Sequence, residues 1–317
     1  MDDSRLQHPA SPAPESDWTV GRILKWTTEY LRKHGSDSPR LDAEILLAHA
    51  RRCPRIRLYA EYDQPVGEAE RALLRDLVRR RAASEPVAYL VGHREFFSLD
   101  FEVTPAVLIP RPETETLVMA ALDALRDVRE PWILDLCTGS GCVAITLAVQ
   151  RPDAHVVATD LSAEALEVAR RNAARHEVTE RVTFLQGDLF APLPIPGASQ
   201  PTDAGAASAP VVPATFDVVV ANPPYVADTD FETLPPDVRL HEPHAALLAG
   251  PDGLTVIRRI VAEGPAFVRP DGWLILEIDP GQKESVERLM QLSGFVDITT
   301  RPDTARRPRV VMGRRSG

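Results

Sequence analysis

The stretch Asn222-Pro223-Pro224-Tyr225 directly follows the apolar run Phe216-Asp217-Val218-Val219-Val220-Ala221. A run rich in β-branched and aromatic residues predicts a buried strand, so the tetrapeptide stands at a strand end. Both prolines have a fixed φ and lack an N–H, and a residue before proline avoids the helical region. The result is a rigid corner that offers the Asn222 side-chain amide and bare carbonyls, with Tyr225 as an aromatic wall. Such a corner suits the binding of a planar NH2 group by both of its hydrogens.

From Trp132 onward the sequence alternates between apolar runs and amphipathic helical segments. The predicted strands cover residues 132–136, 156–158, 182–185, 216–221, 273–278, 295–300 and 309–312. The predicted helices cover residues 143–149, 163–174, 254–267 and 282–292, with Ser162 as the cap of the second. This alternation requires an α/β fold with a doubly wound, mostly parallel seven-stranded sheet and ligand sites at the carboxyl ends of the strands.

The chain before this sheet predicts a small all-helical domain and a β-hairpin. Apolar residues recur at helical spacing from Trp18 to Leu31, in 41–51 and in 67–83, and the aromatic stretch 95–103 alternates as a hairpin does. Pro112 is expected at the start of a further helix that runs to about Val128. The expected organisation is a disordered tail (1–17), a helical domain (18–91), a hairpin linker (92–110) and a Rossmann-like domain (111–317) with a flexible insertion (191–214).

Composition excludes several classes of protein. The 317 residues include 36 Lys and Arg against 46 Asp and Glu, a net charge of −10, which disfavours a protein that binds long nucleic acids through their phosphates. Three cysteines form neither a disulfide framework nor a zinc pattern, and no metal is expected. No apolar run approaches ~18 residues and the start does not resemble a signal peptide, so we expect a soluble, cytoplasmic monomer.

A glycine turn from Asp135 to Gly141 links the first predicted strand of the sheet to its helix. Such a turn lets a ligand approach the backbone and directs N–H groups at it. Asp160 follows about 20 residues later at the next strand end, where a carboxylate can accept hydrogen bonds from ribose hydroxyls. The turn and Asp160 alone are compatible with NAD, FAD or S-adenosylmethionine, and Ala144 at the third glycine of the dinucleotide fingerprint is a permitted variant that discriminates weakly.

The Asn222 corner favours methyl transfer, because hydride transfer has no need for a rigid double acceptor. The region from Trp132 resembles the class I S-adenosylmethionine-dependent methyltransferases that act on planar nitrogen. The whole chain from about Trp18 resembles the HemK/PrmC family of peptide chain release factor glutamine methyltransferases. The motifs that carry this resemblance are the helical N-terminal domain, Arg111-Pro112-Glu113-Thr114-Glu115, Asp135-Leu136-Cys137-Thr138-Gly139-Ser140-Gly141, Gly187-Asp188-Leu189-Phe190, Asn222-Pro223-Pro224-Tyr225-Val226 and Glu242-Pro243.

The resemblance implies a set of site residues. Those expected to bind S-adenosyl-L-methionine are Asp135, Cys137, Thr138, Gly139, Ser140 and Gly141 (methionine moiety), Asp160 (ribose), Asp188 and Leu189 (adenine), and Asn222. Those expected to hold the acceptor glutamine of a Gly-Gly-Gln loop are Asn222, Pro223, Pro224 and Tyr225, of which Asn222, Pro223 and Tyr225 are the catalytic candidates. Two positions depart from the family pattern, since Cys137 and Asp279 stand where glycine is usual.

Other interpretations remain open at this point. The acceptor could be a glutamine of a large-subunit ribosomal protein, although Arg111-Pro112-Glu113-Thr114-Glu115 favours a release factor. It could be an exocyclic amine of DNA or RNA, although stable nucleic-acid binding is not expected. The chain could also be a non-catalytic binding module. The arginines near Arg51 and in 79–81 could form a docking surface for a protein partner or an ordinary solvated face. Segment 111–115 could either close over a ligand or only start a helix.

Overall fold

The computed structural model describes residues 18–196 and 212–317, which fall into two compact units, one ending at Val91 and the other beginning at Gly92. The tail expected over 1–17 and residues 197–211 of the expected insertion lie outside the described residues. In the ranges that are described, no helix is both long and apolar enough to cross a bilayer.

The first unit is helical. Its helices are α1 (Val20–Lys33), α2 (Pro39–Ala50), α3 (Arg55–Ala60), α4 (Glu68–Ala82) and α5 (Val87–Val91). The apolar faces of α1, α2 and α4 share one core with Leu58 of α3 and Leu90 of α5. The sequence pattern missed α3 and α5, because five or six residues are too few to display a helical period.

Several arginines of the first unit are used in internal ion pairs. Arg51 lies 2.8 Å from Glu61, and Arg81 lies 2.8 Å from Asp42; each of these guanidinium side chains is only 12% exposed. Arg79 is exposed but also pairs, with Asp76 of its own helix. That the arginines near Arg51 and in 79–81 form a docking surface therefore stays a prediction.

The second unit begins with the predicted hairpin, formed by β1 (His93–Phe96) and β2 (Leu99–Glu102). Phe97 and Ser98 both have positive φ, as a tight two-residue hairpin turn requires. Phe96 and Phe101 are 2% and 0% exposed and belong to a core cluster of this unit. The hairpin is thus packed into the second unit rather than standing apart as a linker.

A seven-stranded sheet forms the centre of the second unit. Its strands are β3 (Trp132–Leu136), β4 (His155–Asp160), β5 (Val182–Gln186), β6 (Phe216–Ala221), β7 (Val268–Glu277), β8 (Phe295–Pro302) and β9 (Pro308–Arg315). Their order is β5-β4-β3-β6-β7-β9-β8, with β3 to β7 parallel and β9 antiparallel to both of its neighbours. This confirms the doubly wound, mostly parallel fold, although β7 begins at Val268 rather than Trp273.

The helices of this unit are α6 (Glu115–Ala124), α7 (Cys142–Gln150), α8 (Ala163–Arg175), α9 (Pro236–His241), α10 (Thr255–Phe267) and α11 (Lys283–Leu292). Pro112 starts a short 3₁₀ turn, Pro112–Thr114, rather than an α-helix, and α6 ends at Ala124 instead of about Val128. The sequence pattern also missed α9, whose six residues lie in what was expected to be a loop.

Strand β6 shows how the core is built on both faces of the sheet. Val218 and Val220 belong to a cluster with residues of α6 and α7, whereas Val219 and Ala221 belong to one with residues of α10 and α11. Each fully buried valine contributes roughly 1.5–3 kcal/mol. A strand buried on both faces accounts for the continuous apolar run that the sequence displays.

The site depends on where neighbouring strands end. Leu136 of β3 is paired with Thr159 of β4 on one side and with Ala221 of β6 on the other. The glycine turn, Asp160 and the Asn222 corner therefore leave the sheet at one edge, on both sides of β3. This is the point where strand order reverses, the usual ligand position in open α/β sheets.

Candidate active site

A cavity of about 700 Å³ opens at this carboxyl edge of the sheet. The predicted site residues that line it are Asp135, Cys137, Thr138, Gly139, Ser140, Asp160, Asp188, Leu189, Asn222 and Pro224. Gly141, Pro223 and Tyr225 belong to the same segments but do not line it. The remaining walls come from residues 106–111, Thr114, Pro243, Ala245, Ala246, Val256 and Arg259, among others. The volume lies in the ordinary range for small-molecule sites.

The glycine turn leaves room for a ligand on one side only. A Cβ built on Gly139, where φ is +56°, would meet nothing within 4 Å, so the space beyond it is open. A Cβ on Gly141, where φ is +79°, would lie 2.8 Å from Ile145 Cδ1. Cys137 also has a positive φ, of 58°, at the position where the family usually carries glycine.

Two amides of the turn do not point at a ligand, contrary to the expectation. The Thr138 N–H donates to the Thr159 carbonyl at 3.0 Å, and the Gly139 N–H donates to Asp160 Oδ2 at 2.8 Å. Strand β4 therefore fixes the conformation of the turn, and these two N–H groups are already hydrogen-bonded within the protein.

Asp135 stabilises the glycine turn through two hydrogen bonds. Its Oδ2 accepts hydrogen bonds from the Thr138 hydroxyl at 2.6 Å and from the Ala144 N–H at 3.2 Å. Burial raises the pKa of Asp135 to about 7, although these two donors oppose that shift. The residue links the end of β3 to the turn and to α7.

Asp160 combines a structural role with an open face. Besides Gly139, its carboxylate accepts a hydrogen bond from the Ser162 N–H at 2.9 Å, and burial raises its pKa. Ser162 caps α8 as predicted, accepting from the Ala165 N–H at 3.0 Å. Because a carboxylate has about four acceptor positions, Asp160 can still receive hydroxyl donors from the cavity it lines.

Asp188 lies in a bidentate ion pair that the sequence did not indicate. Arg259 of α10 donates through Nη1 and Nη2 to its two oxygens, at 3.1 and 3.0 Å, and both residues line the cavity. The pairing holds the carboxylate in one orientation. The sequence did not indicate Arg259, because it lies 71 positions from Asp188 and no local pattern distinguishes it from other arginines on helix surfaces.

The Asn222 amide is oriented by a residue from the 3₁₀ turn. Its Nδ2 donates to Thr114 Oγ1 at 3.2 Å. The Tyr225 side chain packs instead against the core beside α10 and α11, with its hydroxyl 3.4 Å from Glu277 Oε1. Burial raises the pKa of the Tyr225 phenol well above its usual range.

A half-buried ion pair joins two walls of the cavity. The Arg111 guanidinium bonds Glu242, and Glu242 Oε2 also accepts from the Ile109 N–H at 3.2 Å. Burial raises the pKa of Glu242, and the Arg111 charge opposes that shift. The segment 106–111 is thereby tied to the wall that follows Glu242.

Asp279, the second position that departs from the family pattern, lies outside the cavity lining. Asp279 caps the 3₁₀ turn Pro280–Gln282, accepting from the Gly281 N–H at 2.8 Å. Cys142 does line the cavity, and burial raises its thiol pKa to about 12, which keeps the thiol protonated.

Residues 22–92 match the PrmC N-terminal domain, and residues 130–235 match a methyltransferase domain. A release factor glutamine methyltransferase from Geobacter sulfurreducens is 42% identical over 94% of this chain and 97% of its own length. The chain belongs to the release factor glutamine methyltransferase family. Members from Rhodopirellula baltica and Burkholderia pseudomallei are 44% and 45% identical, over 86% and 91% of this chain and 87% and 96% of their own lengths.

A solved structure confirms the fold class. The hMettl16 catalytic domain, crystallised in complex with MAT2A 3′UTR hairpin 6, superposes with a TM-score of 0.53 over 76% of this chain and 82% of its own. At 16% sequence identity this likeness concerns the fold alone.

S-adenosyl-L-methionine is the cofactor that membership in this family brings with it. The cavity fits such a molecule in two respects. The open space beyond Gly139 accommodates a ligand close to the backbone. Asp160 and Asp188, which line the cavity beyond the ends of β4 and β5, are acceptors suited to the hydroxyl and amino hydrogens of a nucleoside.

Proposed function

We propose that this chain methylates the side-chain amide nitrogen of the glutamine in the Gly-Gly-Gln motif of peptide chain release factors. The observation that carries the proposal is the placement of Asn222 and Pro224 in the wall of the cavity that Asp160 and the glycine turn also line. The curated relatives that span most of the chain bear the same activity in their names.

The chemical difficulty is that a carboxamide nitrogen is a poor nucleophile. Its lone pair is delocalised into the carbonyl, the same resonance that gives the peptide bond a rotation barrier of ~18–20 kcal/mol. We assign the Asn222 Oδ1 atom and the Pro223 carbonyl as acceptors of the two N–H hydrogens. Accepting both would draw electron density onto the nitrogen and hold it in one orientation.

The rest of the task is positioning. When bound, S-adenosyl-L-methionine supplies a methyl group activated by its positively charged sulfur. Asn222 is held through its Nδ2 by Thr114, and both prolines restrict the backbone that carries the two acceptors. A rigid pair of acceptors aims the nitrogen along the line of displacement without reorganisation during the reaction. As the new N–C bond forms, the methyl–sulfur bond would break with its electron pair going to sulfur, and the amide nitrogen would lose one proton to water.

The remaining parts of the proposal concern partner and setting. We assign the helical first unit to recognition of the protein substrate, consistent with its match to the PrmC N-terminal domain. A net charge of −10 supports action on a protein rather than stable binding of nucleic acid. We place the enzyme in the cytoplasm, as a monomer.

The proposal is tested by incubating the chain with labelled cofactor and three separate acceptors: a release factor, ribosomal proteins and nucleic acid. Mass spectrometry then locates the methyl group, which we expect on the glutamine of the Gly-Gly-Gln motif. Label on another glutamine or on a base amine would instead identify one of the alternative activities.

Asn222→Ala should lower kcat by about 10²–10³-fold, because a preorganised acceptor is lost. Cofactor affinity, measured by calorimetric titration, should stay close to that of the wild type. Asp160→Ala serves as the matched control and should show the reverse, with weakened cofactor binding. Near-normal turnover by Asn222→Ala would reject the assigned role.

A further inference from the structure

A buried polar chain runs behind the Asn222 corner. Thr114 and Glu277 are each 1% exposed, and the Thr114 hydroxyl accepts from Asn222 Nδ2 at 3.2 Å. The same hydroxyl acts on the Glu277 carboxyl, whose pKa it lowers, and the Tyr225 hydroxyl lies 3.4 Å from Glu277 Oε1. Three segments that are distant in sequence therefore meet: the 3₁₀ turn before α6, the corner after β6 and the end of β7.

Among these hydrogen-bonded side chains, the burial of Glu277 most needs an explanation. Its Oε2 is buried and, within the described part of the chain, has no hydrogen-bond partner. Burial raises its pKa to about 7, Arg309 of β9 attracts its charge, and Glu113 of the 3₁₀ turn repels it. Burial of a carboxyl costs free energy, so the position of Glu277 behind Asn222 calls for an explanation.

The direction of the hydrogen bonds supplies that reason. A threonine hydroxyl has a single hydrogen and can donate only once. When Glu277 is ionised, it attracts that hydrogen, so that Thr114 presents lone pairs to Asn222 and favours the NH2 end of the amide. The Oδ1 end is then the one left for the cavity. The opposite orientation would place an NH2 group against the NH2 group of the acceptor.

We propose that Thr114 and Glu277 are positioning residues that fix the Asn222 amide with its oxygen toward the acceptor. The inference rests on the proposed function in one respect, namely that the acceptor is itself an NH2 group. Neither residue contacts the reacting atoms in this scheme; both act through Asn222.

The kinetic test compares Thr114→Val, which removes the hydroxyl at nearly constant shape, with Thr114→Ser, which keeps it. Thr114→Val should lower kcat about tenfold or more, the cost of one orienting hydrogen bond, with cofactor affinity unchanged. Thr114→Ser should restore most of the activity. Glu277→Leu should also lower kcat, whereas Glu277→Gln, which keeps an acceptor, should do so less. A wild-type kcat for Thr114→Val would overturn the proposal.

A second measurement does not depend on activity. The side-chain NH2 signal of Asn222, assigned by its absence in Asn222→Ala, should exchange with solvent slowly in the wild type and faster in Thr114→Val. Exchange in the wild type at the rate of a free asparagine amide would overturn the proposal, even if the valine variant fails to fold. A wild type that methylates no release factor would reject the proposed function instead and leave this comparison valid.

Discussion

The individual residues of the glycine turn meet different physical demands. Gly139 and Gly141 both have positive φ, but only Gly141 is packed against side chains, those of Ile145 and Ala169. Gly139 faces the open cavity. Gly141 is thus required by the packing of α7 and α8, whereas Gly139 stands where we propose that a ligand approaches the backbone.

Alanine substitutions should separate these two demands. Gly141→Ala combines left-handed backbone strain with a Cβ 3.1 Å from that of Ala169, and should lower the unfolding free energy by about 2–4 kcal/mol. Gly139→Ala adds strain alone, about 1 kcal/mol, but should weaken cofactor binding by filling the cavity. Urea unfolding and calorimetric titration measure the two effects. Equal losses of stability in both variants would contradict this division.

At the scale of secondary-structure elements, Asn172 of α8 connects the hairpin to the glycine turn. Its Oδ1 accepts from the Glu102 N–H at 2.7 Å, while its Nδ2 donates to the carbonyls of Glu102 and Ser140 at 3.0 and 2.9 Å. The side chain is 0% exposed. A single side-chain amide therefore satisfies backbone groups of the hairpin and of the glycine turn, two segments that are far apart in sequence.

Asn172→Ala should lower the unfolding free energy by about 2–4 kcal/mol, because buried backbone groups lose their partners. It should also weaken cofactor binding, since Ser140 lines the cavity. The adjacent Arg171→Ala is the matched control: it removes a half-exposed ion pair with Glu102 and should cost less than about 1 kcal/mol. Chemical denaturation of both variants checks the difference, and similar losses would refute it.

The Arg111–Glu242 pair makes an element-scale prediction about the cavity walls. Glu242→Ala leaves Arg111 without its buried partner and the Ile109 N–H without an acceptor. We expect a loss of about 1–3 kcal/mol, because the remaining Arg111 side chain is one-third exposed and water can partly solvate its charge, together with a higher KM for the cofactor. Glu242→Gln keeps an acceptor for Ile109 and should fall between the alanine variant and the wild type. An unchanged KM in Glu242→Ala would show that the tie does not shape the cavity.

For the molecule as a whole, buried carboxyls make stability depend on pH. Asp135 has an ordinary pKa of 3.8 and a folded pKa of about 7. The folded state thus binds a proton more tightly than the unfolded chain, so stability falls as pH rises between these values and levels off above about 7. Exposed ion pairs have the opposite effect on stability at lower pH. The pKa values of Asp153 and Asp252 are lowered to about 2, so their ionisation makes the fold more stable as pH rises through about 2–4.

Asp135→Asn should remove the part of the fall in stability with rising pH that Asp135 causes. Relative to the wild type, the variant should gain up to about 4 kcal/mol between pH 4 and pH 7. The measurement is urea unfolding followed by Trp132 and Trp273 fluorescence in a background with Trp18→Phe and Trp26→Phe, so that only the second unit reports. A wild-type to variant difference that stays constant over this range would contradict the assignment.

Much of this architecture followed from local sequence physics. The apolar run 216–221 gave the observed bounds of β6, and Ser162 capped α8, since strand burial and capping depend on neighbouring residues. Short elements escaped detection, including α3, α5, α9 and the 3₁₀ turn at Pro112, because a pattern needs several periods to be read.

The sequence by itself therefore determined the succession of the sheet strands and the longer helices along the chain, and the kind of chemistry expected at the strand ends. Only the tertiary structure decided which distant side chains complete the site. Asn222 meets Thr114 at a separation of 108 positions, Asp188 meets Arg259 at 71, and Arg111 meets Glu242 at 131. Such pairs depend on how the sheet brings the ends of different strands to one edge, and no local preference of a residue encodes its partner across that edge.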